Sequence, residues 1–401
     1  MLETDSLLKV LYVSPSFYPA EHFGGTTFSG FGLCNALAKL ETVDLRVLTT
    51  DADGRSKGQR LHVNSFPVCL PDGYPVYYCK GFRGSDISLS MLSNLWQMIR
   101  WANVVHLNAV YSPPTIPTLV LCKLLGRPVV WSTRGALQRW SGTTRKKTKL
   151  VWNKLCNVLC DPERVMLHVT SEQERQESRT KIRSANTVVL PNGVDIPSQI
   201  EREPRSARNG LHLLYLGRLH PIKGIENLLQ AVARTDSSTR LSICGDGEAN
   251  YRASLKHLAT ELGLDHRVIF HGAVSNEAKG SHFRKADVVV VPSFKEAFCM
   301  VVAEALAYGV AVIASTGTPW EKIGAAGCGM WTDNDPDALT KAIERAKRLP
   351  LEEMGMRGRE WMKRDYSWDM IASRMLDEYN ELILDNAKRP LVVEDSPASS
   401  Y

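Results

Sequence analysis

Glu296 and Glu304 stand eight residues apart in Ser293-Phe-Lys-Glu-Ala-Phe-Cys-Met-Val-Val-Ala-Glu-Ala-Leu-Ala-Tyr-Gly309. Two carboxylates can accept hydrogen bonds from hydroxyls such as those of a sugar and a ribose. A helix starting between them would leave the N–H groups of Phe298, Cys299 and Met300 free to meet an anion. A second charged cluster occupies Leu216-Gly-Arg-Leu-His-Pro-Ile-Lys-Gly224. Arg218 offers a planar fork and Lys223 a compact charge, together able to neutralise a diphosphate. Gly245 lies in a further turn, Ile243-Cys-Gly-Asp-Gly-Glu248. Near the start of the chain, Gly24 and Gly25 can present backbone N–H groups to a phosphate.

These residues are useful only if strands and helices position them. Val288 to Val291 is an unbroken β-branched run, which predicts a strand buried on both faces. Cys299 to Tyr308 has helical spacing, Gly309 can end that helix, and Val310 to Ala314 predicts another buried strand. Glu296 therefore falls on the loop after a strand, at the carboxyl edge where parallel sheets bind ligands. Glu304 falls about two turns into the helix that follows. Further strands are expected at Leu8–Ser14, Asp44–Thr49, Val104–Leu107, Val129–Ser132, Leu167–Thr170 and Val188–Leu190. After a charged, proline-containing linker at Pro197–Asn209, a second series begins at Leu211–Leu216, Leu241–Cys244 and Val268–Phe270. A helix is expected at Gly30–Leu40. Two such alternating series predict an α/β protein of two doubly wound, Rossmann-like domains facing across a cleft.

At 401 residues, with 44% hydrophobic and 23% charged residues, the chain is long enough for two domains. A net charge of +6 suits an anionic substrate or an acidic surface. No run of 18 apolar residues occurs and the start lacks signal-peptide order, while nine scattered cysteines fit a reducing cytoplasm.

The Glu296/Glu304 stretch resembles the Glu-x7-Glu pattern of glycosyltransferase family 4, retaining GT-B enzymes that use nucleotide sugars. The Gly-Arg-x4-Lys-Gly order around Arg218 and Lys223 is similar to that family's donor-phosphate motif, and Gly24-Gly25 resembles its N-terminal Gly-Gly loop. Family members commonly read Glu-Gly-Phe-Gly before the helix, whereas this chain reads Glu296-Ala-Phe-Cys299. The resemblance implies an acceptor-side domain over residues 1–197 and a nucleotide-sugar domain over 198–367. It also implies a helix over 368–385 crossing back to the first domain; residues 386–401, polar and with two prolines, are expected to form a disordered tail. The implied reaction is transfer of a hexosyl unit from a UDP- or GDP-linked sugar to a saccharide or lipid-linked saccharide acceptor, in surface polysaccharide or glycolipid synthesis. Glu296, Arg218, Lys223 and Arg134 are then the expected catalytic residues. Gly24, Gly25, Gly245, Phe298, Cys299, Met300 and Glu304 are expected to bind the donor. A nucleotide-sugar epimerase and a non-catalytic sugar-nucleotide-binding paralogue are the alternatives.

Arg134-Gly135 stands where many family members carry His-Gly. A guanidinium stays protonated, so Arg134 cannot be a general base. Two roles remain open: charge stabilisation or acceptor binding, and pairing with a structural carboxylate. Asn108 is the expected companion on the acceptor side, with His106 assigned to the core or its rim. Asp51 and Asp53 read as a turn. No His, Cys or carboxylate cluster is visible along the chain, so neither a metal nor another cofactor is expected. Arg139, Arg145, Lys146, Lys147, Lys149 and Lys154, interleaved with Trp140 and Trp152, suit peripheral contact with an anionic membrane, or a solvated basic helix. The charge is local and no recognition motif accompanies it, so nucleic acid is not an expected partner.

Overall fold

A computed structural model describes residues 7–20, 24–54, 59–63, 66–71, 73–81, 87–138, 146–200 and 210–388. The chain divides into two units. The first contains the chain to Thr170, Glu174–Leu190 and the chain from Ala372; the second contains Ser171–Gln173 and Pro191–Ile371.

Unit one is built on eight strands: β1 (Leu8–Val13), β2 (Val43–Thr50), β3 (Val68–Cys69), β4 (Pro75–Cys79), β5 (Val104–Asn108), β6 (Val129–Ser132), β7 (Val165–Val169) and β8 (Asn186–Val189). Their order across the sheet is β3-β4-β2-β1-β5-β6-β7-β8. Every pairing is parallel except β3 with β4. The winding reverses between β1 and β5, so the loops after those two strands flank the switch point where such sheets bind ligands.

Unit two repeats the logic with β9 (Leu211–Leu216), β10 (Thr239–Cys244), β11 (Val268–Gly272), β12 (Val288–Val291), β13 (Ala311–Ser315) and β14 (Gly329–Thr332). The order is β11-β10-β9-β12-β13-β14, all parallel, with the switch between β9 and β12. Val288–Val291 are all buried, as a strand covered on both faces requires. Leu213, Val290 and Ile313 pack with Leu228, Leu229 and Ile343 in one layer of the core. Val289, Val312 and Leu214 pack with Val302 and Leu306 in another.

Several elements depart from the sequence expectation. The first helix starts at Gly25, five residues ahead of Gly30, because Gly24 turns through φ 73° and lets the glycine loop itself form the first turn. β3, β4 and β14 carry no long β-branched run and went unrecognised. The final helix, Trp368–Ala387, runs past the expected end at 385. The Asn386 side chain donates to the Gly126 carbonyl at 3.1 Å, tying down a position expected to belong to the tail. Residues 201–209 of the expected linker and 389–401 of the tail lie outside the described residues, as do Phe23, Arg139, Trp140 and Arg145. Among the described residues, no helix is long and apolar enough to cross a membrane.

Candidate functional site

The switch point of unit two gathers most of the charged residues singled out above. Lys223 follows β9 in the short helical turn Pro221–Lys223, and Glu296 follows β12. They are 73 residues apart in sequence, yet Lys223 Nζ donates to Glu296 Oε1 at 2.5 Å. Ser293 Oγ donates to the same carboxylate oxygen at 2.8 Å. The backbone clamps the arrangement, with Phe294 N–H donating to the Ile222 carbonyl at 2.8 Å and Glu296 N–H to that of Gly317 at 2.9 Å. Burial opposes the Lys223 charge, but the Glu296 carboxylate outweighs it and holds the ammonium above the ordinary lysine value. Arg218 lies on the same loop, exposed, and its charge reaches both Lys223 and Tyr215. The Tyr215 hydroxyl donates to the Arg218 carbonyl at 3.0 Å and fixes the loop from beneath.

The helix Met300–Ala307 begins beside this pair with no side-chain cap. An uncapped start leaves the positive end of a helix available to an anion. Cys299 stands in the left-handed region at φ 70°, where glycine is the easier residue. The backbone thus adopts a glycine-like turn without the glycine. Phe298 is buried, its carbonyl accepting from Trp320 Nε1 at 2.5 Å. Glu304 Oε1 accepts from Lys279 Nζ at 3.1 Å, while Oε2 is buried without a partner among the described residues. That free lone-pair set suits a ligand hydroxyl. Gly245 follows β10 and packs its backbone against Gly217, so any β-carbon there would run into the Gly217 carbonyl. Its N–H donates to the Gly272 carbonyl at 2.7 Å, joining the turns after β10 and β11.

In unit one, Arg134 follows β6 and meets Asn108, the last residue of β5: Arg134 Nε donates to Asn108 Oδ1 at 3.1 Å. Asn108 Nδ2 in turn donates to Ser14 Oγ at 3.1 Å, just past β1. Arg134 also occupies the left-handed region, φ 49°, a strained backbone of the kind that clusters at functional sites. The residue holding that strain is Glu174, which sequence reasoning missed. Its Oε1 accepts from Gly135 N–H at 2.5 Å and Thr133 Oγ1 at 2.7 Å. Its Oε2 accepts from Thr170 N–H at 2.8 Å and Thr170 Oγ1 at 2.7 Å. A fully buried glutamate with four donors fixes the loop. Set within the polar helix Glu172–Arg179, it reads in sequence like any solvated helix residue, and no signal marks it.

His106 is fully buried, as its assignment to the core requires, and belongs to a chain of hydrogen bonds beneath Arg134. Tyr379 Oη lies 2.6 Å from His106 Nδ1, and Ser132 Oγ lies 2.7 Å from both His106 Nε2 and His168 Nδ1. Gly24 and Gly25 open the first helix, and among the described residues nothing lies within 4 Å of where a β-carbon would stand on either. Asp51 accepts from Arg60 and from Gly81 N–H, consistent with a structural turn. Among the described residues, one trio of potential metal ligands occurs, Cys244, His271 and His282. Its members come from different elements, so sequence spacing gave no sign of it.

Residues 23–197 match the family described as Glycosyltransferase Family 4, and residues 198–361 match Glycosyl transferases group 1. The chain is similar to an uncharacterized glycosyltransferase of Methanocaldococcus jannaschii, MJ1607, 33% identical over 42% of this chain. That match spans 44% of the relative, less than half its length. A longer match, 25% identical over 95% of this chain and 82% of the relative, is to a phosphatidylinositol N-acetylglucosaminyltransferase chain of Arabidopsis thaliana. Among solved structures, Anabaena Alr3699/HepE in complex with UDP-glucose aligns with TM-score 0.70 at 18% identity, covering 93% of this chain and 100% of that one.

Proposed function

We propose that this chain, a GT-B glycosyltransferase of family 4 type, moves a hexosyl unit from a UDP- or GDP-linked sugar to a saccharide or lipid-linked saccharide acceptor with retention. The observation that carries the reading is the Lys223–Glu296 pair, built from the two strands that flank the switch point of unit two. On binding, the donor diphosphate takes the Lys223 ammonium, the Arg218 guanidinium and the uncapped helix start at Phe298–Met300. Glu296, relieved of part of its ion pair, turns to a hydroxyl of the transferred sugar, and Glu304 takes the ribose. Gly245 lets the base approach backbone. In unit one, the Gly24–Gly25 helix start is suited to a phosphate, and Arg134 with Asn108 is suited to an acceptor.

The acceptor oxygen forms its bond to the anomeric carbon on the face from which the phosphate oxygen departs, and the acceptor proton passes to that oxygen. Negative charge then builds on the diphosphate, where two cations and a helix start stand ready. The residues named supply that stabilisation themselves, so we propose transfer without a metal ion at this edge. The UDP-glucose complex of Alr3699/HepE supports a nucleotide sugar as donor. The Arabidopsis relative supports a glycolipid product.

We place the reaction in the cytoplasm, at the inner face of a membrane. The helix Lys146–Leu159 supports this, with Lys147 and Lys154 exposed beside Leu150, Val151, Leu155 and Val158. Ile87, Leu89 and Trp96 add exposed apolar surface in the same unit. A cavity of about 540 Å³ lined by Met91, Leu92, Tyr111, Ile116, Trp152 and Leu155 offers room for part of an apolar tail.

The test is a panel of nucleotide sugars read by thermal stabilisation, followed by product analysis with acceptor and with chelator. One donor should stabilise the protein, and the product should keep the donor's anomeric configuration with chelator present. An inverted product, an epimerised free sugar nucleotide or activity lost to the chelator and restored by a divalent ion would each overturn the matching part of the reading.

A further inference from the structure

We propose that Cys244, His271 and His282 form a binding site for a soft divalent transition metal, zinc foremost. Cys244 ends β10, His271 lies in β11, and His282 projects from the helix Asn276–Lys285 that packs beside them. One ligand atom from each residue lies within 4.8 Å of the other two. Cys244 Sγ and His282 Nδ1 are 3.3 Å apart, and the two imidazoles meet edge to face with centroids 4.9 Å apart. Tetrahedral zinc bonds to sulfur and nitrogen place ligand atoms about 3.3–3.6 Å from one another. One pair is already at that spacing, and the remaining gap is small enough for a rotation of the exposed His271 ring.

The donor set is selective. One thiolate and two imidazoles favour zinc, cobalt or copper over magnesium and calcium, which prefer oxygen. Three protein ligands leave a fourth position for water or an incoming group. Outer contacts that orient metal-bound histidines are present too. Ser242 Oγ lies 3.1 Å from His271 Nε2 and 2.9 Å from His212 Nε2, so the hydroxyl links a ligand ring to a neighbour. A cavity of about 490 Å³, lined in part by Ser242, His271 and His282, gives the ion a way in.

Protonation states agree with this geometry. Burial, then neighbouring histidines and Lys285, holds His271 and His282 below the ordinary imidazole value. Both rings therefore keep lone pairs at neutral pH. Burial pushes the Cys244 thiol up to about 11, so the metal must displace its proton. Each ion bound releases one proton as the S–H bond is exchanged for a sulfur–metal bond.

The site also has a structural output. His282 sits three residues from Lys279 on one helix, and Lys279 holds Glu304. An ion on His282 would fix the helix that carries Lys279. The two turns joined by the Gly245–Gly272 hydrogen bond would be pinned at the same time.

Cobalt titration of the reduced full chain tests the proposal without any activity measurement. One equivalent should bind with a thiolate-to-cobalt charge-transfer band, release one proton and raise the unfolding temperature. Zinc should displace the cobalt. Cys244→Ser should lose the band, and His271→Gln, an exposed and therefore structurally tolerant change, should weaken binding at least tenfold. Absence of the band in the parent, or equal affinity in parent and His271→Gln, overturns the assignment even if Cys244→Ser fails to fold. Because the readout is metal binding, its failure leaves the transfer reading standing, and loss of transfer leaves this site standing.

Discussion

Lys223 and Glu296 hold each other at 2.5 Å, so the cation meant for a phosphate is already paired with a carboxylate. A donor must therefore divide that pair, exchanging one anion at Lys223 for another while freeing Glu296. Lys223→Ala removes the phosphate contact and also leaves a partly buried carboxylate without its cation, with the Ser293 hydroxyl as a remaining donor. Arg218, exposed on the same loop, lacks that second effect. Either change should weaken nucleoside diphosphate binding by about 1.5–3 kcal/mol, roughly 10- to 150-fold. Only Lys223→Ala should also lower unfolding stability, with Arg218→Ala within about 0.5 kcal/mol of the parent. Calorimetric titration and urea unfolding read the two effects, and unchanged affinity in both variants would refute the phosphate role.

Glu304 and Glu296 should separate on free nucleotide. Glu304 has a buried oxygen without a partner among the described residues, so it should gain one from a ribose hydroxyl. Glu304→Ala should then weaken binding of the nucleoside diphosphate itself by about 1–3 kcal/mol. Glu296→Ala frees Lys223 and so should not weaken that affinity, while depressing transfer. Equal losses on free nucleotide would contradict this division.

Acid should destabilise unit one through its buried histidines. Burial first, then the Arg134 charge, lowers His168 from 6.5 to about 3, and burial first, then His168 and Arg134, hold His106 well below its ordinary value. Both are neutral when folded at neutral pH, whereas the unfolded chain takes up their protons as pH falls through about 6.5. The folded form binds fewer protons across that window, so stability must fall as pH drops from 6.5 toward 3. The loss is about 1.4 kcal/mol per pH unit for each histidine at full effect. Urea unfolding at successive pH values should give a steep slope in the parent and a shallower one in His168→Gln. Identical slopes would remove the histidine from the account.

The exposed face of Lys146–Leu159 should bind anionic vesicles and ignore neutral ones. Val151 and Val158 are 67% and 70% exposed, so changing them to Ser costs the fold little. Lys147→Gln and Lys154→Gln each remove about 1 kcal/mol of attraction to an acidic surface. Co-sedimentation should fall in both double variants and with added salt in the parent. Binding that disregards lipid charge would mark the helix as ordinary solvated surface.

Much of the fold was legible because buried parallel strands advertise themselves. Val288–Val291 and Val129–Ser132 could be placed from composition alone, since strands covered on both faces need unbroken apolar runs. β3 and β4 could not: Val68–Cys69 is two residues long, and Pro75–Cys79 mixes tyrosines with a proline. At the site, sequence indicated which residues carry charge but not what they touch. The Lys223–Glu296 and Lys279–Glu304 pairs bridge 73 and 25 residues. Glu174 was invisible for the same reason, since its partners at Thr133 and Gly135 lie some forty residues upstream. Cys299 taught the opposite lesson. Its departure from a glycine pattern left the local turn intact, because the surrounding strand and helix impose the left-handed backbone on whatever residue stands there.

Tyr379 belongs to the final helix, yet its hydroxyl completes the buried chain through His106, Ser132 and His168 at the heart of unit one. Every intervening residue of unit two is translated first. A nascent chain emerging from the ribosome can therefore fold its second unit before the first has received its last piece. Until Tyr379 arrives, His106 Nδ1 lacks the partner it has in the finished protein. A stop codon that removed only this helix would strike the half of the molecule made earliest.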